Sequence, residues 1–454
     1  MKPMNILWRY KVGLLGLAAL CGGPQANAAD KELLDILRKN GAITQQQYDE
    51  LIRKESLAKE DFKKEPAPKK NGGDVSVSVG EKGLVAKSSD GDFELKVGGR
   101  LQVDASYQDP DHIGDQQGTD GTEFRRARIE MMGQLYKIIP WAFEVDFANN
   151  VVSFKDAWLG YEGFDWMKAY AGHTKQPYSL AVEMSSNDIP FMERAIDNAL
   201  IIPFVDRTVG LRFETSGDEW FWAGGVSGES VSPTVDDDEG WGLASRFVYA
   251  PIQNDTTTLH LGARIAYRVP SDKTIRIRDE TTNMSNLSVV DTGSIENIAN
   301  VVLVGPEAAF VYGPFSLTGE FNHAFIDPES GGDLNFDSSH AQATWSITGE
   351  SRAEAYKIES GEFKRLVPAR PFSLTNGGWG AWELATRIAY IDLNDGDILG
   401  GRETAFTAAL NWYLFNNLRL MWDYTQILDT DGSSLARQEA EGMDIYQMRV
   451  QITF

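Results

Sequence analysis

The chain has 454 residues, with 43 Lys and Arg against 66 Asp and Glu and a formal net charge of −23. That length holds one large domain plus a small appendage. The acidic balance excludes a nucleic-acid binder, which needs a basic face. Beyond the N-terminus no segment has the ~20 consecutive apolar residues of a membrane helix, which leaves a barrel of strands open as a membrane form.

Lys2, Arg9 and Lys11 precede the apolar run Val12–Leu20, and Ala26-Asn27-Ala28 is an A-x-A cleavage site, so residues 1–28 read as a secretory signal peptide. The one cysteine, Cys21, lies inside it; Leu20 makes a poor lipoprotein box, so simple cleavage is expected. The mature chain then has no thiol chemistry. Residues 29–65 read as a short periplasmic helical segment. It has one apolar stripe at Leu33, Leu34 and Leu37, a break at Gly41, a capping-box start at Thr44 and Gln47, and a second stripe at Tyr48, Leu51 and Ile52. Residues 66–92 form a linker, opening on Pro66-Ala-Pro-Lys-Lys-Asn-Gly-Gly73, with one or two short strands in Val75–Lys87.

From Phe93 to Phe454 the pattern is strand after strand. Phe93, Leu95, Val97, Leu101, Val103, Ala105 and Tyr107 alternate with Glu94, Lys96, Arg100, Gln102, Asp104 and Ser106. Period two places the two sets on opposite faces. Similar runs recur about sixteen times, each ~9–11 residues long, the length a tilted strand needs to cross a bilayer. Trp141, Trp158, Trp166, Trp220, Trp222, Trp241, Trp382, Trp412 and Trp422 fall near run ends, as interfacial girdles require. The last run ends Tyr446, Met448, Val450, Ile452 and Phe454 on one face, with Gln447, Arg449, Gln451 and Thr453 on the other. The fold class expected is all-β: a transmembrane antiparallel β-barrel of about 16 strands with a short N-terminal helical extension, placed in the outer membrane of a Gram-negative bacterium. A large soluble β-sandwich or solenoid is the alternative.

Residues 173–206 interrupt the strands with Pro177, Pro190 and Pro203, yet carry Leu180, Val182, Ile189, Phe191, Leu200, Ile201 and Ile202. This segment is too apolar for a free loop, so it is expected to fold into the barrel and narrow it, with Lys175, Glu193, Arg194 and Asp197 shaping the pore's field. Packing on a neighbouring subunit is the other option. The remaining long connections are acidic, Asp236–Glu239 and Asp392–Asp397 among them, and read as solvated surface loops facing lipopolysaccharide. Asp392-Leu-Asn-Asp-Gly-Asp397 has some calcium-loop character but lacks the bidentate Glu. No metal or other cofactor is expected.

The alternation places basic residues on the lumen wall: Lys96, Arg100, Arg126, Arg128, Arg212, Arg246, Arg264, Arg268, Arg387, Arg419 and Arg449. They form either a track for anions or braces to carboxylates on neighbouring strands.

Several segments resemble the phosphate-selective porin O/P family. They are Phe93-Glu-Leu-Lys-Val-Gly-Gly-Arg-Leu-Gln-Val-Asp104, Phe124-Arg-Arg-Ala-Arg-Ile-Glu130, Gly172–Leu180 with Ser185–Arg194, Thr348–Tyr356 and Gly380–Leu384. The resemblance implies a homotrimeric porin passing small anions such as phosphate or polyphosphate. Thr274-Ile-Arg-Ile-Arg278 resembles the start of the family's arginine loop, which implies an anion path through Arg276 and Arg278. Asp279 and Glu280 follow where further basic residues would be expected, and Val182 and Glu183 stand near the place of a constriction lysine.

Two alternatives stay open: a general or cation-preferring porin, favoured by the −23 charge, and a structural or adhesive barrel without transport. An enzyme is not expected. His112, His173, His260, His323 and His340 are scattered, and neither a G-x-S-x-G nor an H-E-x-x-H motif occurs.

Overall fold

A strand that is apolar on one face and polar on the other is satisfied in a membrane only when its edges are closed. The computed structural model describes residues 38–40, 44–46, 48–49, 74–81, 83–113, 116–229, 239–285, 287–431 and 440–454. The signal segment and Cys21 lie outside the described residues. So does most of the helical segment, of which Arg38–Lys39, Gln45–Gln46 and Tyr48–Asp49 are helical. The chain divides into two units, 1–72 and 73–454, and the second carries the strands.

Strands β1 (Val75–Gly80) and β2 (Gly83–Ser88) form a hairpin whose second arm pairs with β3 (Phe93–Asp109). The wall continues through β4 (Gly121–Leu135), β5 (Ile139–Asp146), β6 (Ser153–Phe164), β7 (Met167–Lys175) and β8 (Arg207–Ser216). Then come β9 (Trp220–Ser227), β10 (Trp241–Gln253), β11 (Thr257–Val269), β12 (Ile298–Tyr312) and β13 (Phe315–Pro328). The last are β14 (Leu334–Ser346), β15 (Ala381–Asp395), β16 (Ile398–Phe415), β17 (Leu418–Asp431) and β18 (Asp444–Thr453). Each pairs antiparallel with the next, and β18 pairs with β3. The result is a closed barrel of sixteen strands, β3 to β18. Strand lengths run from 8 to 18 residues, a wider range than the crossing length alone predicts. Beyond the hydrocarbon the ladder continues wherever it can keep backbone groups paired.

In β18 the apolar set faces out, with Tyr446 49% and Met448 43% exposed, while Arg449 is fully buried and Gln451 nearly so. Phe454 completes the seam: its N–H donates to Gly99 O (3.1 Å), and Gly99 N–H donates to Phe454 O (2.8 Å). A Cβ at position 99 would sit 2.4 Å from Arg128 O and 2.8 Å from the Phe454 ring, so this crossing needs glycine. Trp382 and Trp412 stack at 4.8 Å on one rim, and both indoles donate to Trp379 O.

The interior is not simply water. Three segments turn inward: 176–206 after β7, 270–297 after β11, and 347–380 after β14. The first two bring Tyr178, Val182, Leu200, Ile201, Phe204, Ile275, Ile277 and Val290 against Ala244, Ala266, Val301, Leu303, Ala324, Ile326, Phe336 and Ile391 of the wall. One sector of the lumen face is therefore a dry apolar core. Strict alternation would have made it polar; small and aliphatic residues stand there because they meet the inward segments rather than solvent. The third segment buries Tyr356 and Phe363 from the opposite end, beside Leu180 and Met184.

Candidate functional site

The 176–206 segment is held by its own backbone. Wall carboxylates accept its amides: Glu307 from Leu180 (2.9 Å), Glu320 from Ala181 (2.7 Å) and Asp423 from Met192 (2.8 Å). Wall donors take its carbonyls: Arg419 binds Ile189 O (2.8 Å), Asn411 binds Pro190 O (2.6 Å) and Arg449 binds Met192 O. Lys175 Nζ donates to the carbonyls of Val182, Glu183 and Met184. Arg194 donates to those of Ala181, Val182 and Met184. The two cations thereby clamp the C-terminal end of the short helix Leu180–Glu183, where carbonyls are otherwise orphaned. Asp197 is fully buried and accepts from His340 (2.8 Å). Burial pushes its carboxyl up, but His340 beside it outweighs that and lowers it.

Segment 270–297 reaches across to β3 and β4. Gln108 donates to Ser285 (3.1 Å) and accepts from Thr281 (2.9 Å), and Asn283 donates to Glu123 (3.0 Å). Arg276 forms a fork on Asp291, with Nε to Oδ1 at 2.8 Å and Nη2 to Oδ2 at 2.5 Å. Arg278 pairs with Glu280 at 3.0 Å. Both guanidiniums stay about half exposed.

Between these segments and the wall lies a cavity of about 600 Å³. Nine basic residues line it: Arg125, Arg126, Arg128, Lys155, Arg194, Arg207, Arg276, Arg278 and Arg387. Six acidic residues face them: Asp146, Glu193, Asp206, Asp279, Glu280 and Asp423. A chain with 23 net negative charges thus keeps a positive balance where the lumen narrows. Lys155, Arg194 and Arg387 form no ion pair with a carboxylate among the described residues. Arg387 lies 4.2 Å from the Phe191 ring centroid and donates to Glu193 O (3.1 Å).

Glu193 stands at the centre of the cavity's cations. Its two oxygens accept from Arg125 Nε and Nη2, Arg126 Nη1 and Nη2, and Arg449 Nη2, at 2.7–3.1 Å. Burial alone pushes its carboxyl up; the charges of Arg126, Arg125 and Arg449 win and hold it well below the usual range. Asp279 goes the other way. It keeps some surface open to the cavity, but crowding by protein and the charges of Glu280 and Asp197 raise it to about 7.

Two bulges deliver cations that alternation sends to the lipid. In β4 the register slips beside Gln102 and Val103, so Arg125 and Arg126 both point inward while Phe124 stays 57% exposed outside. In β6, Lys155 and Asp156 together oppose Glu144, and both turn inward. Asp156 pairs with Arg207 (3.1 Å).

Of the residues singled out by sequence, Arg126, Arg128, Glu193, Arg194, Arg276, Arg278 and Arg387 meet at this cavity. Lys96 pairs with Glu94 (3.3 Å) near the start of β3, away from it. Arg100 binds Glu144 (2.9 Å) and sits beside Ser185 and Ser186. Arg264, bound to Glu307 and Glu320, is sealed behind the 176–206 segment. Arg268 is also buried, donating to Phe204 O and Gly228 O. Sequence reasoning missed Arg125, Lys155, Arg207 and the fully buried Glu307. Glu307 lies in phase with the inward residues of β12, so its signal was available.

Comparison with known proteins agrees with this geometry. Residues 95–454 match the family model for phosphate-selective porin O and P. A Caulobacter vibrioides protein named only as uncharacterized is 30% identical over 363 residues, covering 76% of this chain and 71% of its own length. Porin O of Pseudomonas aeruginosa is 27% identical over 396 residues, covering 78% and 87%. The fold is shared with the anion-selective porin from Comamonas acidovorans: TM-score 0.53, 11% identity, 80% of this chain and all of that one. It is also shared with in-vitro folded OmpT of Vibrio cholerae: TM-score 0.51, 10% identity, 80% and 98%.

Proposed function

The chain belongs to the phosphate-selective porin O and P family, and from that premise we propose that it is an outer-membrane porin for passive passage of small anions, phosphate among them. The observation that carries this is the cation excess around the narrowed lumen, set against the −23 charge of the whole chain. Fixed guanidiniums in a confined, poorly hydrated passage lower the barrier for an anion and raise it for a cation. Arg276, Arg278 and Arg387 stand on the path, and their planar forks suit oxygen pairs of phosphate or carboxylate.

In this reading residues 1–28 are removed on export, and the barrel assembles as a homotrimer. Its acidic loops face lipopolysaccharide. The channel needs no catalysis. The competing reading is a general or cation-preferring porin, and it draws on the carboxylates that match Arg276 and Arg278.

Single channels in planar bilayers test the proposal. Stepwise conductance in KCl that millimolar phosphate reduces is the expected result. An open channel whose chloride current ignores phosphate contradicts phosphate passage, and an absence of conductance leaves only a structural barrel.

A further inference from the structure

We propose that Glu193 is a resident counter-anion: a carboxylate of the chain itself that occupies the guanidinium cradle a permeating oxyanion would otherwise hold, and thereby sets how long the oxyanion stays. The inference rests on the anion-porin reading above and concerns the strength of binding within that path.

Two guanidinium forks, from Arg125 and Arg126, each place both of their bonds on the one carboxylate, and Arg449 adds a fifth bond. That is the geometry by which arginine recognises a free carboxylate or phosphate. The site is not sealed as a structural brace would be. The Glu193 side chain keeps 30% of its surface open to the cavity, whereas Glu307, Glu320 and Glu383 keep 0–1%.

The cations also differ in their dependence on it. Arg449 has Asp104 at 2.6 Å, and Arg126 has Gln102 at 2.8 Å. The Arg125 guanidinium, turned inward by the bulge, has Glu193 as its sole hydrogen-bond partner among the described residues. When Glu193 swings aside, an empty two-fork cradle therefore faces the cavity. Without a competitor such a cradle would hold an oxyanion tightly and slow its exit, because conduction needs binding weak enough to release. The competition acts on solutes with two oxygens in one plane. Chloride, with no second acceptor atom, feels only the charge.

The test compares the wild-type chain with Glu193→Gln in planar bilayers, reading block of chloride current by added phosphate and, separately, by acetate. The expected result is a half-blocking concentration lower by about tenfold for both oxyanions, the scale of one charged hydrogen bond, with chloride-only conductance within about twofold. A fall for phosphate alone would assign the cradle to phosphate, and a fall for acetate alone to carboxylates. If block is unchanged for both, the counter-anion inference is overturned while the porin reading stands. Wild-type channels that are cation-selective and ignore both oxyanions instead sink the porin reading. Should Glu193→Gln fail to form channels, Glu193→Asp keeps the charge and withdraws it by one methylene. Its half-blocking concentration should fall about threefold, and an unchanged value overturns the inference.

Discussion

Arg449 of β18 lies directly opposite Asp104 of β3, and its Nε and Nη2 bind the two carboxylate oxygens at 2.7 and 2.6 Å. The partners are 345 residues apart in sequence. They meet only because the last strand pairs with the first. The same guanidinium reaches Met192 O and Glu193, so closing the barrel and placing the inward segment share one side chain.

Asp104→Ala should therefore destabilise the barrel by about 3–5 kcal/mol, the cost of leaving one member of a buried pair alone. Denaturant unfolding in lipid vesicles checks it. Arg449 keeps Glu193, so the low end of the range is expected.

Gly99→Ala places a methyl against Arg128 O and the Phe454 ring. Overpacking there should cost about 1–3 kcal/mol. The readout is a lower temperature for conversion to the heat-denatured form on gels, without a change in ion selectivity.

The barrel was legible because each strand repeats one rule, apolar out and polar in, from Phe93 to Phe454. The site was less so. Arg125 and Lys155 enter the lumen through bulges, and a one-residue slip cannot be seen in a period-two pattern. The doubled Arg125-Arg126 was the only hint. The inward turn of 347–380 was missed because its buried residues, Tyr356, Phe363 and Leu366, are scattered among charged ones. Arg276 and Arg278 were found, but their carboxylate partners were not, since Asp291 is fifteen residues away.

Those partners decide the relative weight of the cations. Arg387→Ala removes a guanidinium with no carboxylate match, so it should lower anion-to-cation permeability more than Arg276→Ala with Arg278→Ala. About twofold or more is expected for Arg387. Bi-ionic potentials give the ratio. A larger shift from the Arg276 and Arg278 pair would return the path to that segment.

Asp279 gives a pH dependence. Its carboxyl, raised to about 7, is charged above that pH and neutral below it. Lowering pH from 8 to 6 removes a negative charge from the cavity, so anion preference should rise. Glu280, Asp197 and Arg387 face the same group and keep the step near its place. In Asp279→Asn the step should vanish and the preference should stay at its low-pH value. A step that persists in that variant would assign the titration elsewhere.

The central claim is that a chain with a −23 charge carries a lumen selective for anions. Zero-current potential across a tenfold KCl gradient measures this directly. The account predicts a potential of the sign set by chloride, the anion being the more permeant ion. A potential of the opposite sign, set by potassium, would contradict it.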